Sequence, residues 1–113
     1  MPYLKEIVVN GCVFTYNFYL ERSGYETIVI SKDGVTSCGN FVDVSLDDLR
    51  VVTQDIVDYI KTESPPKFFF SSNTEEIFNL YKEFNSQLED RYLIRERTSN
   101  FPTTQFICLY DII

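Results

Sequence analysis

The fold is decided by the stretch SPPKFFFSSNTEEIFNLYKEFNSQL, residues 64–88, in which one helix must end, a strand must pass and a second helix must begin. Pro65 and Pro66 end a preceding helix, since neither ring carries an amide hydrogen and Pro65 restricts Ser64 to extended geometry. KFFFS is predicted to be a short, buried strand that is either covered from two sides or placed centrally in a sheet, because its apolar residues fall on both faces.

A second helix is predicted after the polar segment SSNTEE. Ser72 stands three residues before Glu75, and Asn73 three before Glu76, so either polar side chain can cap the helix N-terminus. The two glutamates occupy the positive end of the helix dipole and would repel an anion. We therefore interpret the segment as a helix start and not as a phosphate-binding loop. Apolar residues then recur at spacings of three and four: Ile77, Leu80, Tyr81, Phe84 and Leu88.

The first helix is predicted over about residues 46–62. Ser45 precedes Asp48 by three residues, as in a capping box. Hydrophobic residues then follow the helical period of 3.6 along one face: Leu46, Leu49, Val52, Ile56 and Ile60.

Four antiparallel strands are predicted before this helix. LKEIVV and CVFTYNFYL flank Asn10 and Gly11, which both tolerate the positive φ of a type I′ hairpin turn. ERSG and KDG then turn the chain into YETIVIS and VTSCGNFVDV, and Gly39 is expected to form a bulge or a bend in the fourth strand. The pattern is typical of an antiparallel meander.

Two further strands close the chain. RYLIRER and QFICLYDII surround the turn-like segment TSNFPTT and are predicted to form a terminal hairpin. The order ββββ-α-β-α-ββ predicts one α+β domain over residues 1–113, with two layers, a mainly antiparallel sheet and both helices on one face. We expect the core to include Phe18, Ile56, Leu80 and Phe84.

The chain of 113 residues carries a formal net charge of −7 and has a pI near 4.4. This charge opposes direct nucleic-acid binding and favours a protein partner with a basic surface. MPYLKEIVV lacks the basic start and long apolar core of a signal peptide. No apolar run approaches the roughly 18–20 residues of a membrane span, so we expect a cytoplasmic protein.

The three cysteines, Cys12, Cys38 and Cys108, are widely spaced, and the chain contains no histidine to complete a zinc site. We interpret them as reduced and unligated, and we expect no metal and no cofactor. The absence of histidine also excludes the common Ser-His and Cys-His nucleophilic pairs. The chain is therefore interpreted as a non-enzymatic protein, with a carboxylate- and metal-dependent activity as the remaining alternative.

Acidic side chains are concentrated on the first helix. Asp48, Asp55 and Asp58 lie off its apolar stripe, so we expect them to project outward. Three interpretations remain open: a solvated face, a face that binds a partner, and a metal or catalytic site. Since no Gly-rich phosphate loop accompanies the acids, the favoured functional interpretation is contact with a basic protein surface. The partner-binding residues are then Asp47, Asp48, Asp55 and Asp58.

Three arginines near the C-terminus, Arg91, Arg95 and Arg97, have the same parity and would share one face of a strand. Three guanidinium groups on one face could bind phosphates or carboxylates, and a nearby aromatic ring could stack on a base. The alternatives are that they face solvent and offset part of the acidic excess, or that they contact a protein.

We expect a small acidic protein that acts by binding another protein. In size, acidity and lack of a catalytic motif the chain is similar to inhibitor and accessory proteins of phages and mobile elements, a likeness of composition that covers no particular residues. Some tyrosines, such as Tyr3, Tyr25, Tyr59 or Tyr110, are expected at the surface, where they are common in interfaces, including those of homodimers. The alternative is a small-ligand or nucleotide binder that uses the arginine-bearing strand.

Overall fold

The computed structural model describes residues 3–36 and 44–113, and in this range the predicted order ββββ-α-β-α-ββ is confirmed. The fold is α+β. The strands and helices are β1 (Tyr3–Val9), β2 (Cys12–Leu20), β3 (Glu26–Lys32), β4 (Val35–Thr36), α1 (Leu46–Glu63), β5 (Lys67–Ser72), α2 (Glu75–Lys82), β6 (Tyr92–Ser99) and β7 (Gln105–Ile112).

The strands form one mostly antiparallel sheet in the spatial order β1-β2-β3-β5-β7-β6. β3 and β5 form a parallel pair through Glu26 and Thr27, which lie opposite Phe68 and Phe69. The two residues of β4 pair with the other end of β3. KFFFS thus lies centrally in the sheet, which is one of the two predicted placements, and it joins the N-terminal strands to the C-terminal hairpin.

Both helices lie on the same face of the sheet, as predicted. On α1, the ring of Tyr59 lies 5.0 Å from the ring of Phe18 on β2. On α2, the ring of Tyr81 lies 4.9 Å from the ring of Phe70 on β5. α1 therefore covers the N-terminal strands and α2 covers the central and C-terminal strands.

The core lies between this sheet face and the helices. The four predicted core residues, Phe18, Ile56, Leu80 and Phe84, are all buried. A large part of the core is aromatic, and the rings of Phe68 and Tyr110 stack with their centroids 4.5 Å apart. Tyr110 is fully buried, so the expectation that it lies at the surface was wrong, and Tyr59 is partly buried against the core. Tyr110 on β7 lies opposite Phe68 on β5, and both side chains point to the sheet face that the helices cover.

The local signals in the sequence are mostly confirmed. Asn10 and Gly11 have φ values of 50° and 79°, as a type I′ hairpin turn requires. Ser45 caps α1, because its side chain accepts a hydrogen bond from the Asp48 amide. Ser64 ends the helix in the left-handed conformation with φ of 48°, which corrects the extended geometry expected before Pro65.

The cap predicted for α2, Ser72 or Asn73, was wrong by two residues or by one. Thr74 is the N-cap, and the Ser72 side chain instead accepts a hydrogen bond of 3.1 Å from the Thr74 amide. This contact forms a polar turn before the helix. The N-cap position is then occupied by Thr74, whose backbone is extended. In the predicted fourth strand, Gly39 and Cys38 lie outside the described residues.

The sheet face away from the helices, which we call the outer face, carries every second residue of each strand. On β2 and β3 it is lined mainly by Thr15, Asn17, Tyr19 and Val29, and on β5 by Phe69. Phe69 is half-buried, whereas its neighbours Phe68 and Phe70 point into the core. The prediction of a buried FFF segment thus holds for two of the three rings.

Candidate functional site on the outer face

The four aspartates predicted to bind a partner do not form one outward surface. Asp47 and Asp58 do project from α1, with side chains 93% and 63% exposed. Asp47 lies 3.2 Å from Arg50, and Asp58 accepts a hydrogen bond of 3.0 Å from Gln54. Both contacts join residues of the same helix, so these two acids remain available on its surface.

Asp48 and Asp55 instead connect α1 to the N-terminal hairpin. Asp48 accepts a hydrogen bond of 2.6 Å from the Asn10 side chain. Asp55 lies 2.8 Å from the Lys5 ammonium group, and its side chain is only 23% exposed. The expectation that Asp55 projects outward was wrong, because its flank of α1 faces polar groups of β1 and β2.

The three arginines predicted to share a face are also separated. Arg91 precedes β6, and its guanidinium group donates a hydrogen bond of 2.6 Å to the Lys61 carbonyl at the end of α1. Arg95 and Arg97 lie within β6, where they pair in register with Leu109 and Ile107 on β7. The prediction of a shared face is therefore right for two arginines and wrong for Arg91, which the chain places before the strand begins.

Arg95 and Arg97 line a pocket of about 480 Å³ on the outer face. Its floor is apolar and consists of Phe69, Ile107 and Leu109, all of them half-buried. The register explains this floor, since Leu109 lies between Phe69 on β5 and Arg95 on β6.

The turn between β2 and β3 supplies one wall of the pocket through Ser23 and Tyr25. The Tyr25 hydroxyl donates a hydrogen bond of 2.7 Å to Asp111 and accepts one of 2.9 Å from Arg95. Arg95 also donates directly to Asp111 over 2.8 Å. These three residues close a triangle of hydrogen bonds that fixes the Tyr25 ring and the Arg95 fork beside the floor.

The hydrogen bonds among Tyr25, Arg95 and Asp111 determine the protonation states of Tyr25 and Asp111. The hydrogen bond from Tyr25, followed by the contact with Arg95, lowers the pKa of the Asp111 carboxyl below its usual range, so this carboxyl is ionised at neutral pH. The same hydrogen bond to Asp111 is the main cause of a raised pKa for Tyr25, which stays protonated. The Lys67 ammonium group lies 5.6 Å from the centre of the Tyr25 ring, within cation–π range.

Arg97 differs from Arg95 in its contacts. Among residues 3–36 and 44–113, no carboxylate lies within salt-bridge distance of Arg97 and no side chain hydrogen-bonds to it. Its neighbour Glu96 also contributes to the pocket lining, but the Glu96 carboxylate pairs with Lys82 on α2 at 3.1 Å. Arg97 is therefore a cation on the pocket rim whose donors are available to a ligand.

Tyr25 and Asp111 were not predicted as members of a site. For Asp111 a signal did exist, since an aspartate inside the apolar strand QFICLYDII is unusual in a sheet and indicates a specific partner. The role of Tyr25 depends on a contact between residues 86 positions apart in the chain. Local spacing does not encode such a contact.

The polar groups inside the core do not form a second site. Burial raises the pKa of the Cys108 thiol and that of the Tyr110 hydroxyl. Asn85 accepts a short hydrogen bond from Tyr110 and contacts the Cys108 sulfur. The Cys108 thiol is thus a buried core group that is protonated at neutral pH. In the described part of the chain, no group of His, Cys, Asp and Glu side chains could hold a metal ion.

Neither α1 nor α2 has the length and apolar character that crossing a membrane requires. Comparisons of the chain with protein-family models, with curated proteins and with solved structures find no match.

Proposed function

We propose that this is a non-enzymatic protein that binds a protein partner through its outer face. The observation that supports the proposal is the exposure of large apolar side chains on that face. Leu4 and Val8 on β1 are 66% and 63% exposed, and Leu93 on β6 is 59% exposed. Tyr19 on β2, at 44%, adds an aromatic ring. Leu4, Val8 and Tyr19 lie on two neighbouring strands at one edge of the face, and Leu93 lies on the strand at the opposite edge. Exposed apolar surface of this kind is typical of interaction sites.

The composition of the face also fits a protein interface. Half-buried apolar residues, among them Val29, Phe69 and Leu109, lie between the exposed ones, and Arg95 and Arg97 form a polar rim at the β6 side. An apolar centre with tyrosine and arginine is the usual composition of energetically important interface positions. We further propose a cytoplasmic setting, supported by the free thiols of Cys12 and Cys108.

Site-specific photo-cross-linking in the cells that produce the protein would test this proposal. A benzophenone amino acid at Thr15, in the middle of the outer face on β2, should form a covalent adduct with a partner protein. The matched position is Val51 on the outer surface of α1, which is 49% exposed and should form no such adduct. A partner adduct from Val51 alone would place the interface on the helix and refute the proposal.

A second candidate interface is the exposed part of α1, where Asp47 and Asp58 flank Val51 and could meet a basic protein surface. Association at such a surface is steered by charge, so it should slow as salt rises above about 0.15 M, where the screening length is about 8 Å. Replacing both acids with lysine should then abolish capture of the partner. Equal capture by this variant and the parent would exclude the acidic helix.

A further inference from the structure

The outer-face pocket combines three features that together define a ligand. The first is its size of about 480 Å³, which lies within the range of roughly 300–1,000 Å³ found for small-molecule sites. The second is the apolar floor of Phe69, Ile107 and Leu109, which gains free energy when an apolar group displaces water from it. A ligand that fills the pocket should therefore have an apolar body.

The third feature is the unequal state of the two arginines. Arg95 is already engaged by Asp111 at 2.8 Å and by Tyr25 at 2.9 Å. Arg97, two residues further along β6, has no acidic partner among the described residues. Arg95 is thus paired with the ionised Asp111, whereas Arg97 is the cation among the lining residues that has no acidic partner in the described part of the chain. The Lys67 ammonium group, beside the Tyr25 ring, adds a further positive charge near Asp111.

We infer that the pocket is a binding site for a monoanionic ligand with an apolar body, and that Arg97 pairs with its carboxylate. The planar guanidinium group of Arg97 matches a carboxylate with two parallel hydrogen bonds. A dianion such as a phosphate monoester fits less well, because one unpaired guanidinium group balances a single negative charge and the second would lie near the carboxylates of Glu96 and Asp111. Tyr25 and Arg95 act as positioning residues that hold the wall in place.

This inference rests on the proposed role of the outer face as a binding surface, and it specifies what that surface recognises. Two sources could supply the same chemistry. One is a free aromatic or branched-chain acid, and the other is the C-terminal carboxylate of a partner that ends in an apolar residue. Both place a single negative charge within a few ångströms of an apolar group.

Titrations followed by ¹H–¹⁵N NMR test the inference on the full chain. The probes are 3-phenylpropionate, its neutral amide, phenyl phosphate, and a short peptide that ends in phenylalanine, with either a free carboxylate or an amide. The free acid or the carboxylate peptide should shift the amide signals of Ile107 and Leu109. The neutral forms should bind about tenfold more weakly or worse, because they lack the charge-assisted hydrogen bonds to Arg97. Phenyl phosphate should also bind more weakly.

Arg97→Gln should weaken carboxylate binding about tenfold or more, whereas Arg91→Gln should leave it unchanged. Arg91 is the matched control, since it has the same side chain but donates to the Lys61 carbonyl on the helix side. Tighter binding of the peptide carboxylate would identify a chain end as the source, and binding of the free acid alone would identify a small acid. Either result supports the inference.

Three results would overturn the inference. These are tighter binding of phenyl phosphate than of the carboxylates, unchanged affinity in Arg97→Gln, and no shift at Ile107 and Leu109 with any probe. None of them bears on cross-linking from Thr15, so the proposed protein-binding role can survive while the ligand assignment fails. Conversely, if no adduct forms from Thr15 but the acid still binds, the ligand assignment stands and the proposed protein-binding role fails.

Discussion

The Tyr16 hydroxyl on β2 donates a hydrogen bond of 2.6 Å to the Asp55 carboxylate on α1. Tyr16 is fully buried, so this contact lies at the margin of the core. Lys5 on β1 approaches the same carboxylate to 2.8 Å. The contact determines which flank of α1 faces the N-terminal hairpin, and it gives Asp55 a structural role within the acidic helix.

We expect Asp55→Ala to lower the free energy of unfolding by about 1.5–3 kcal/mol, the usual contribution of hydrogen bonds to a charged group. Urea denaturation measures the change directly as a lower midpoint with an unchanged slope. The matched control is Asp58→Ala, whose side chain is 63% exposed and whose loss should cost less than about 0.5 kcal/mol. Equal effects of the two substitutions would show that Asp55 is only a solvated charge.

Phe68 and Phe69 are adjacent on β5 but lie on opposite faces of the sheet, so substitutions at both positions test which face is buried. Phe68 is fully buried and contacts the rings of Tyr92 and Tyr110, whereas Phe69 is half-buried on the outer face. Phe68→Ala should cost about 3–5 kcal/mol, the usual range for truncating a core aromatic residue. Phe69→Ala should cost clearly less. Thermal or urea unfolding of both variants provides the measurement, and the reverse ranking would mean that β5 has been assigned the wrong register.

Most of the fold could be predicted because its signals are local. Asn10-Gly11 for the first turn, Ser45 for the helix cap and Pro65 for the helix end each act within a few residues. The parallel pair between β3 and β5 joins Glu26 and Phe68, which are far apart in the chain. No local pattern selects that pairing, so the sequence predicted the order of the elements but not the order of the strands.

The site was predictable only in part, for the same physical reason. Strand parity correctly placed Arg95 and Arg97 on one face. The start of β6 at Tyr92 excluded Arg91, and strand boundaries are the least certain part of such a prediction. Helical spacing placed Asp55 off the apolar stripe, but it did not indicate that Lys5 and Tyr16 meet that flank.

Tyr92 should make stability depend on pH in alkaline solution. Its hydroxyl donates to the Pro65 carbonyl over 2.8 Å, and burial raises its pKa to about 12, whereas an unfolded tyrosine titrates near 10. Because the folded pKa is the higher one, this contribution to stability is fully present below about pH 10 and is lost as the pH rises towards 12.

Urea unfolding of the parent and of Tyr92→Phe at pH 9, 10, 11 and 12 would measure this contribution. At pH 9 the variant should be less stable by about 0.5–1.5 kcal/mol, owing to the lost hydrogen bond. The difference should shrink as the pH rises, because phenylalanine has no proton to lose. A constant difference over this range would contradict the assigned burial of the Tyr92 hydroxyl.

Asp111 should have the opposite dependence in acid. The hydrogen bond from Tyr25 and the contact with Arg95 lower its pKa below the unfolded value of about 3.9. The unfolded chain therefore takes up this proton at a higher pH than the folded protein. The resulting stability is present above about pH 4 and is lost as the pH falls through the folded pKa.

Asp111→Asn retains an acceptor for Tyr25 but removes the titration. Its deficit relative to the parent, measured by urea unfolding at pH 5, 4, 3 and 2.5, should shrink as the pH falls. Asp90→Asn, at an exposed aspartate in the turn before β6, is the control for removing one carboxylate from the surface. If the Asp111→Asn deficit stays constant with pH, the triangle with Tyr25 and Arg95 does not hold an ionised carboxylate, and the positive charge of the pocket must be reassigned to both arginines.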